Sequence, residues 1–234
     1  MRRDSPESKQ ERFEWALEHQ DKLNFDKYCI FIDEAGFNIS MRWEYGWSKV
    51  GEKAVLSVPV TRGLNVSFLG AISSKGCVDL KVPLPAETAP NKKRKLGSYT
   101  TISEKKTRVG TTANHFFAFV KSVLKEIEKN KALKGIKYLI LDNAAIHKRR
   151  NLQLLVASSG MELVFLPPYS PALNAIEEFW SVCKAKVKRS NLSRKEQLTP
   201  KVKEATAKIT LESYQGFCRH VNDHMQHCLE STSF

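Results

Sequence analysis

Apolar residues along this chain gather in short runs and helical stripes, with polar stretches between them. Residues 27–37, KYCIFIDEAGF, are almost continuously apolar until Asp33 and Glu34, which predicts a strand buried on both faces. LNVSFLGAIS and GCVDLKVPL predict two more strands joined by a turn at 74–76. KYLILD (137–142) and MELVFLP predict another two. FNISMRWEYGWSKVGEKAVLSVPV predicts a strand, a glycine-punctuated loop and a further strand. Helical spacing marks residues 6–25, with Phe13, Trp15 and Leu17 facing the body. It recurs at Phe116, Val120, Val123, Leu124 and Ile127, where Asn114 is the expected cap. AIHKRRNLQLLVASSG (145–160) predicts a helix with a glycine stop, 174–189 another, and 200–228 one or two more. Strands first, then helix and strand in alternation, predict an α/β fold: a mixed sheet flanked by helices.

Residues 85–112 break the pattern, being polar, proline-bearing and basic. The expected organisation is an N-terminal linker helix (1–26), a core domain (27–190) with 85–112 as a basic loop insertion, and a C-terminal helical extension (191–234).

Composition narrows the function classes. The 234 residues carry 38 Lys and Arg against 25 Asp and Glu, a net charge of +13, which favours a polyanion partner, most often nucleic acid. No run approaches the ~18 apolar residues of a membrane span. The polar N-terminus, MRRDSPESKQER, is unlike a secretory signal. Five cysteines without a CxxC pair read as reduced thiols of an intracellular protein.

Three acids stand where chemistry is expected. Asp33 and Asp142 each end an apolar strand, a costly place for a carboxylate unless a partner neutralises it. Glu177 follows the stiff approach LPPYSPALNAI. Asn174 and Glu177 have the spacing of a capping box, which is the structural reading of that acid. On a helix wheel of about 100° per residue, Ile176, Trp180, Cys183 and Val187 form the buried stripe. Glu177 falls at the edge of that stripe, with Lys184 and Lys188 beyond it, while Glu178 faces water. Three hard carboxylates without Cys or His suit Mg²⁺ or Mn²⁺, and can hold two such ions for an in-line displacement at phosphorus.

FIDEAGF, LDNAAIHK and LPPYSPALNAIEEFW, in this order, resemble the catalytic domain of Tc/mariner-type and related insertion-sequence transposases of the DDE superfamily. The 34 residues between Asp142 and Glu177 match a spacing common in that group and select Glu177 over Glu178. The resemblance implies a ribonuclease-H-like fold. It implies that Asp33, Asp142 and Glu177 are catalytic metal ligands for DNA strand cleavage and strand transfer. It makes Asn143, His147 and Asn174 site-shaping residues. It also implies transposon-end and target DNA as partners, with a homodimer in the DNA complex. Lys184, Lys188, Lys92, Lys93, Arg94, Lys95 and Arg42 are the expected DNA contacts, and 42–51 resembles a loop that in relatives reaches DNA or a partner subunit. Ala175 replaces the usual proline. Relatives carry helix-turn-helix modules ahead of this domain, and this chain begins about where those modules end. The alternative is therefore a truncated or domesticated DNA-binding or assembly module without catalysis.

Three weaker signals remain. His220, His224, His227 and Cys228 share a helix face that zinc could use, but HVNDH lacks the glutamate of HExxH and a polar helix face is the better reading. KKRK (92–95) reads equally as a nuclear-localisation signal, a DNA phosphate contact or a solvated loop; the first would direct the protein to the nucleus of a eukaryotic host, and otherwise a cytoplasmic location is expected. Trp43, Tyr45 and Trp47 read as loop or core packing, with base stacking as the rival.

Overall fold

A computed structural model describes residues 5–38, 41, 47–55, 65–83, 111–190 and 197–230. Its described strands form one sheet. β1 (Cys29–Asn38), β2 (Asn65–Ser73) and β3 (Gly76–Lys81) make an antiparallel meander, and β4 (Tyr138–Leu141) and β5 (Glu162–Phe165) add in parallel to β1. The strand order is β3-β2-β1-β4-β5. Gly76 takes φ 122°, a backbone conformation suited to glycine, and closes the β2–β3 hairpin.

Alternation along β1 divides the core. Ile30 and Ile32 face one side, with Leu139 and Leu141 of β4, and meet α2 (Ala113–Lys129) and α3 (Arg150–Ser158). Cys29, Phe31, Ala35 and Phe37 face the other. There they meet α4 (Ala175–Lys188), α5 (Leu198–Ala207) and α6 (Leu211–Glu230). Helices on both faces account for the unbroken apolar run of 29–32. α1 (Pro6–His19) joins the second layer, where the buried Trp15 donates its indole N–H to the Phe165 carbonyl at 2.9 Å. The expected docking residue Leu17 instead points outward. The C-terminal helices share this core, through Leu198, Val202, Tyr214, Phe217 and Val221.

Several boundaries differ from expectation. Thr112, not Asn114, caps α2, and it forms a reciprocal capping box with His115. α3 begins at Arg150 rather than near 145, because residues 144–148 are spent on turns. Residues 47–55 contain no strand, and Trp47 is fully exposed rather than packed. Trp43, Tyr45 and most of the 85–112 stretch lie outside the described residues. All five cysteines are free. No helix among the described residues is long and apolar enough to cross a membrane.

One glycine decides how closely α4 approaches the sheet. Gly70, in β2, pairs across the ladder with Asp33. A Cβ there would lie 2.6 and 2.7 Å from ring atoms of Trp180 on α4. Its absence lets the buried indole lie directly on the strand backbone, beside the position of the first acid.

Candidate active site

The strand register brings the first two acids together. Phe31 of β1 pairs with Ile140 of β4 in a parallel ladder. Asp33 and Asp142 each lie two residues beyond that pair, so they are neighbours at the carboxyl ends of adjacent strands. Asp33 has the parity of Phe31, on the face that α4 covers, whereas Asp142 follows the end of β4 and bonds to His147, which stacks on Phe116 of α2. They line one open groove of about 710 Å³ with Glu34, Asn38, Ser67 and His147.

The two carboxylates have different environments. Burial pushes Asp33 up to about 7, and the nearby Glu177 and Asp142 carboxylates add to the rise; the Glu34 backbone N–H and His147 oppose it. Asp142 is half exposed and is held below the usual carboxylate range, chiefly by a hydrogen bond from His147. The His147 Nδ1–Asp142 Oδ1 distance is 2.5 Å. The Ala144 N–H also donates to Oδ1, at 3.3 Å. The His147 ring is buried and stacks on Phe116, with centroids 4.0 Å apart. This anchorage explains the late start of α3: the chain after Asp142 turns back to place His147 beneath the acid.

Glu177 sits in the first turn of α4, exposed, near enough to Asp33 to raise its carboxyl but off the groove lining. The capping box expected there does not form. Asn174 occupies the N-cap position, but its side chain makes no cap bond and its buried Oδ1 has no partner among the described residues. The helix start is held instead by the backbone of the 170–173 turn, whose Pro171 carbonyl accepts the Asn174 N–H at 3.0 Å. Asn143, beside Asp142, likewise has a buried, unpartnered Oδ1.

Glu178 is not simply solvated. It is half buried and pairs with His220, because α6 packs along that flank of α4. The wheel identified the stripe against the sheet but not the second helix. Lys184 stands over the Phe37 ring, 5.8 Å from its centroid, and Lys188 is half buried further along α4. Lys92, Lys93, Arg94, Lys95 and Arg42 lie outside the described residues.

Hard oxygen donors around a carboxyl that is costly to ionise suit Mg²⁺ or Mn²⁺. The acids do not form a ready-made cage: among the described residues, no three His, Cys, Asp or Glu side chains stand in ligating arrangement. That includes the His220, His224, His227 and Cys228 face, whose histidine rings lie against one another at 4.4 and 6.2 Å.

Residues 100–199 match the family model of the DDE superfamily endonuclease. That segment is similar to a DDE endonuclease domain. No curated protein matches it in sequence. Among solved structures, it is similar to the Mos1 transposase paired-end complex with left transposon end, at TM-score 0.74 and 13% identity over 97% of this chain and 62% of that one. It is similar to the catalytic domain of Mos1 mariner transposase, at TM-score 0.65 and 12% identity, covering 96% of this chain and 91% of that one. It is also similar to the Mos1 catalytic domain solved with raltegravir and Mn, at TM-score 0.67 and 11% identity, covering 97% and 95%. The chain therefore spans less than two thirds of the full Mos1 chain and nearly all of its catalytic domain. The fold is the ribonuclease-H-like mixed sheet expected for a DDE domain.

Proposed function

We propose that this DDE domain performs divalent-metal-dependent phosphoryl transfer on DNA, cleaving a strand and joining it to a target, as the catalytic domain of a transposase. The observation that carries the reading is the register of β1 and β4, which brings Asp33 beside Asp142, with Glu177 of α4 close to Asp33. Asp33, Asp142 and Glu177 are the residues that would hold Mg²⁺ or Mn²⁺, as two ions. When bound, such ions supply the charge that stabilises the attacking and leaving oxygens of an in-line displacement. The protein's own residues set the geometry. His147 fixes one oxygen of Asp142, a residue of the groove lining. Gly70 and Trp180 set the height of α4. A net charge of +13 draws the polyanion in. Transposon-end and target DNA, bound by a homodimer, are the partners that fit, since the similar Mos1 structures include paired-end and strand transfer complexes.

The test is nicking of supercoiled plasmid in Mn²⁺ by the wild type, Glu177→Gln and Glu178→Gln. Glu177→Gln is expected to lose ~10-fold or more of the rate, the lower end for a disturbed metal site. Glu178→Gln is expected to nick at nearly the wild-type rate while unfolding at a lower temperature, because it loosens the pair with His220. A wild type that binds DNA yet shows no nicking above an EDTA control would overturn the assignment.

His147→Ala is expected to slow nicking by about 10- to 100-fold, as loss of an outer-shell partner does. An unchanged rate in a cooperatively folded variant would mean that His147 does not position Asp142.

A further inference from the structure

Helix α3 starts in conflict with its own dipole. Lys148, Arg149 and Arg150 are consecutive, all exposed, and gathered at its N-terminal end, where the dipole disfavours cations. Arg149 occupies the N-cap without any side-chain bond, and the first turn contains no acid. The backbone N–H groups of Arg150 and Asn151 have no partner among the described residues. No carboxylate among the described residues pairs with any of the three cations. Lys148 only stands over the Phe165 ring, at 5.9 Å. A serine or aspartate at position 149 would serve the isolated helix better. A polyanion reverses the balance: the uncapped N–H groups, the dipole and the three side chains then all act in the same direction.

The cluster also lies in a telling place. The lining of the acidic groove includes Ala144, Ile146 and His147, and Lys148 is the next residue in the chain. A groove that carries Asp33, Glu34 and Asp142 repels a phosphodiester, so cations at its margin are needed to hold one there.

We propose that Lys148, Arg149, Arg150 and the open N-terminus of α3 form a phosphate clamp, which grips the DNA backbone next to the phosphate that enters the groove. The proposal rests on the DNA reading above and adds to it the residues that hold the substrate strand.

The test compares two triple variants with equal charge change: Lys148→Gln/Arg149→Gln/Arg150→Gln, and Lys131→Gln/Lys134→Gln/Lys137→Gln. The second set is exposed at the opposite end of β4. Binding of the full chain to a labelled DNA duplex is followed by fluorescence anisotropy in EDTA across a salt series. Each phosphate contact contributes about 0.9 to the slope of log affinity against log salt. The clamp variant is expected to lose about 2 to 3 from that slope, and the control less than about 1. Equal losses would reduce the effect to net charge and overturn the clamp. An unchanged slope in the clamp variant would overturn it too, while wild-type DNA binding and nicking left the phosphoryl-transfer reading intact. A wild type without salt-dependent DNA binding would overturn both. A second variant separates holding DNA from holding the fold. Arg149→Ser is expected to raise Tm by about 2–4 °C through the new cap while weakening DNA binding. A lowered Tm would show that Arg149 serves the fold and would overturn its place in the clamp.

Discussion

Asp33→Asn is expected to make the metal-free protein more stable at pH 8 while removing more than ~100-fold of its nicking rate, beyond the loss of a mere outer-shell partner. Burial and the neighbouring Glu177 and Asp142 carboxylates lift the Asp33 carboxyl to about 7 in the folded state, whereas in the unfolded chain it titrates near 4. Between those two values the folded state binds more protons than the unfolded one, so stability falls as pH rises. The stability that the protonated acid contributes is complete below about pH 4 and lost once pH passes about 7. Asparagine carries no charge at any of these pH values. The difference between variant and wild type should therefore be near zero at pH 4, grow through the window, and level off above pH 7. Its ceiling is about 4 kcal/mol, and the partial solvent contact of the side chain reduces it. Thermal unfolding in EDTA from pH 4 to 8 measures this. Adding Mn²⁺ at pH 8 should stabilise the wild type and leave the variant unmoved. A variant less stable than wild type at pH 8 in EDTA would show that Asp33 is a structural acid with a satisfied partner, not a carboxylate held ready for a cation.

The same residue shows how far the sequence could be read. An apolar run that ends in an acid identifies a buried strand and a rim carboxylate, because few other arrangements tolerate that order of residues. KYLILD repeats the signal, and the spacing to Glu177 completes the set. Register, by contrast, is a tertiary property: nothing in either run says that Phe31 lies opposite Ile140. The helix wheel placed Ile176, Trp180, Cys183 and Val187 correctly in the core but gave Glu178 to water, since one wheel cannot know of α6. Asn174 has the chemistry of a cap and the position of a cap, yet its side chain makes no cap bond. The start of α3 departs from the sequence pattern because its first residues are basic and uncapped, the same features that make the proposed phosphate clamp. Gly70 did carry a legible signal, a lone glycine inside a strand, but its meaning needed the indole that lies on it.

Gly70→Ala is expected to unseat α4, with consequences for both stability and activity. The new methyl would lie 2.6 and 2.7 Å from Trp180 ring carbons and 3.3 Å from Ile176 Cδ1. The ring cannot swing clear, because it is packed edge-on to Phe37 at 5.8 Å and tilted against Phe179 at 4.8 Å. Overpacking of this kind costs about 1–3 kcal/mol, and so close a contact falls at the upper end. In a domain of this size that is a drop in Tm of about 6–12 °C. If α4 instead gives way by ~1 Å, Glu177 in its first turn moves with it, and a displacement of that size can cost about 10²-fold in rate. The cause can be isolated. Trp180→Phe removes the ring atoms that the methyl would meet, at the expense of a cavity of its own. Gly70→Ala and Trp180→Phe together should therefore be more stable than the sum of the two single losses predicts. Gly36→Ala, on the neighbouring strand with nothing within 4 Å of its new methyl, should leave Tm nearly unchanged. Additive losses in the double variant would mean that Gly70 is needed for some reason other than the seat of Trp180, and that the height of α4 over the acids is set elsewhere.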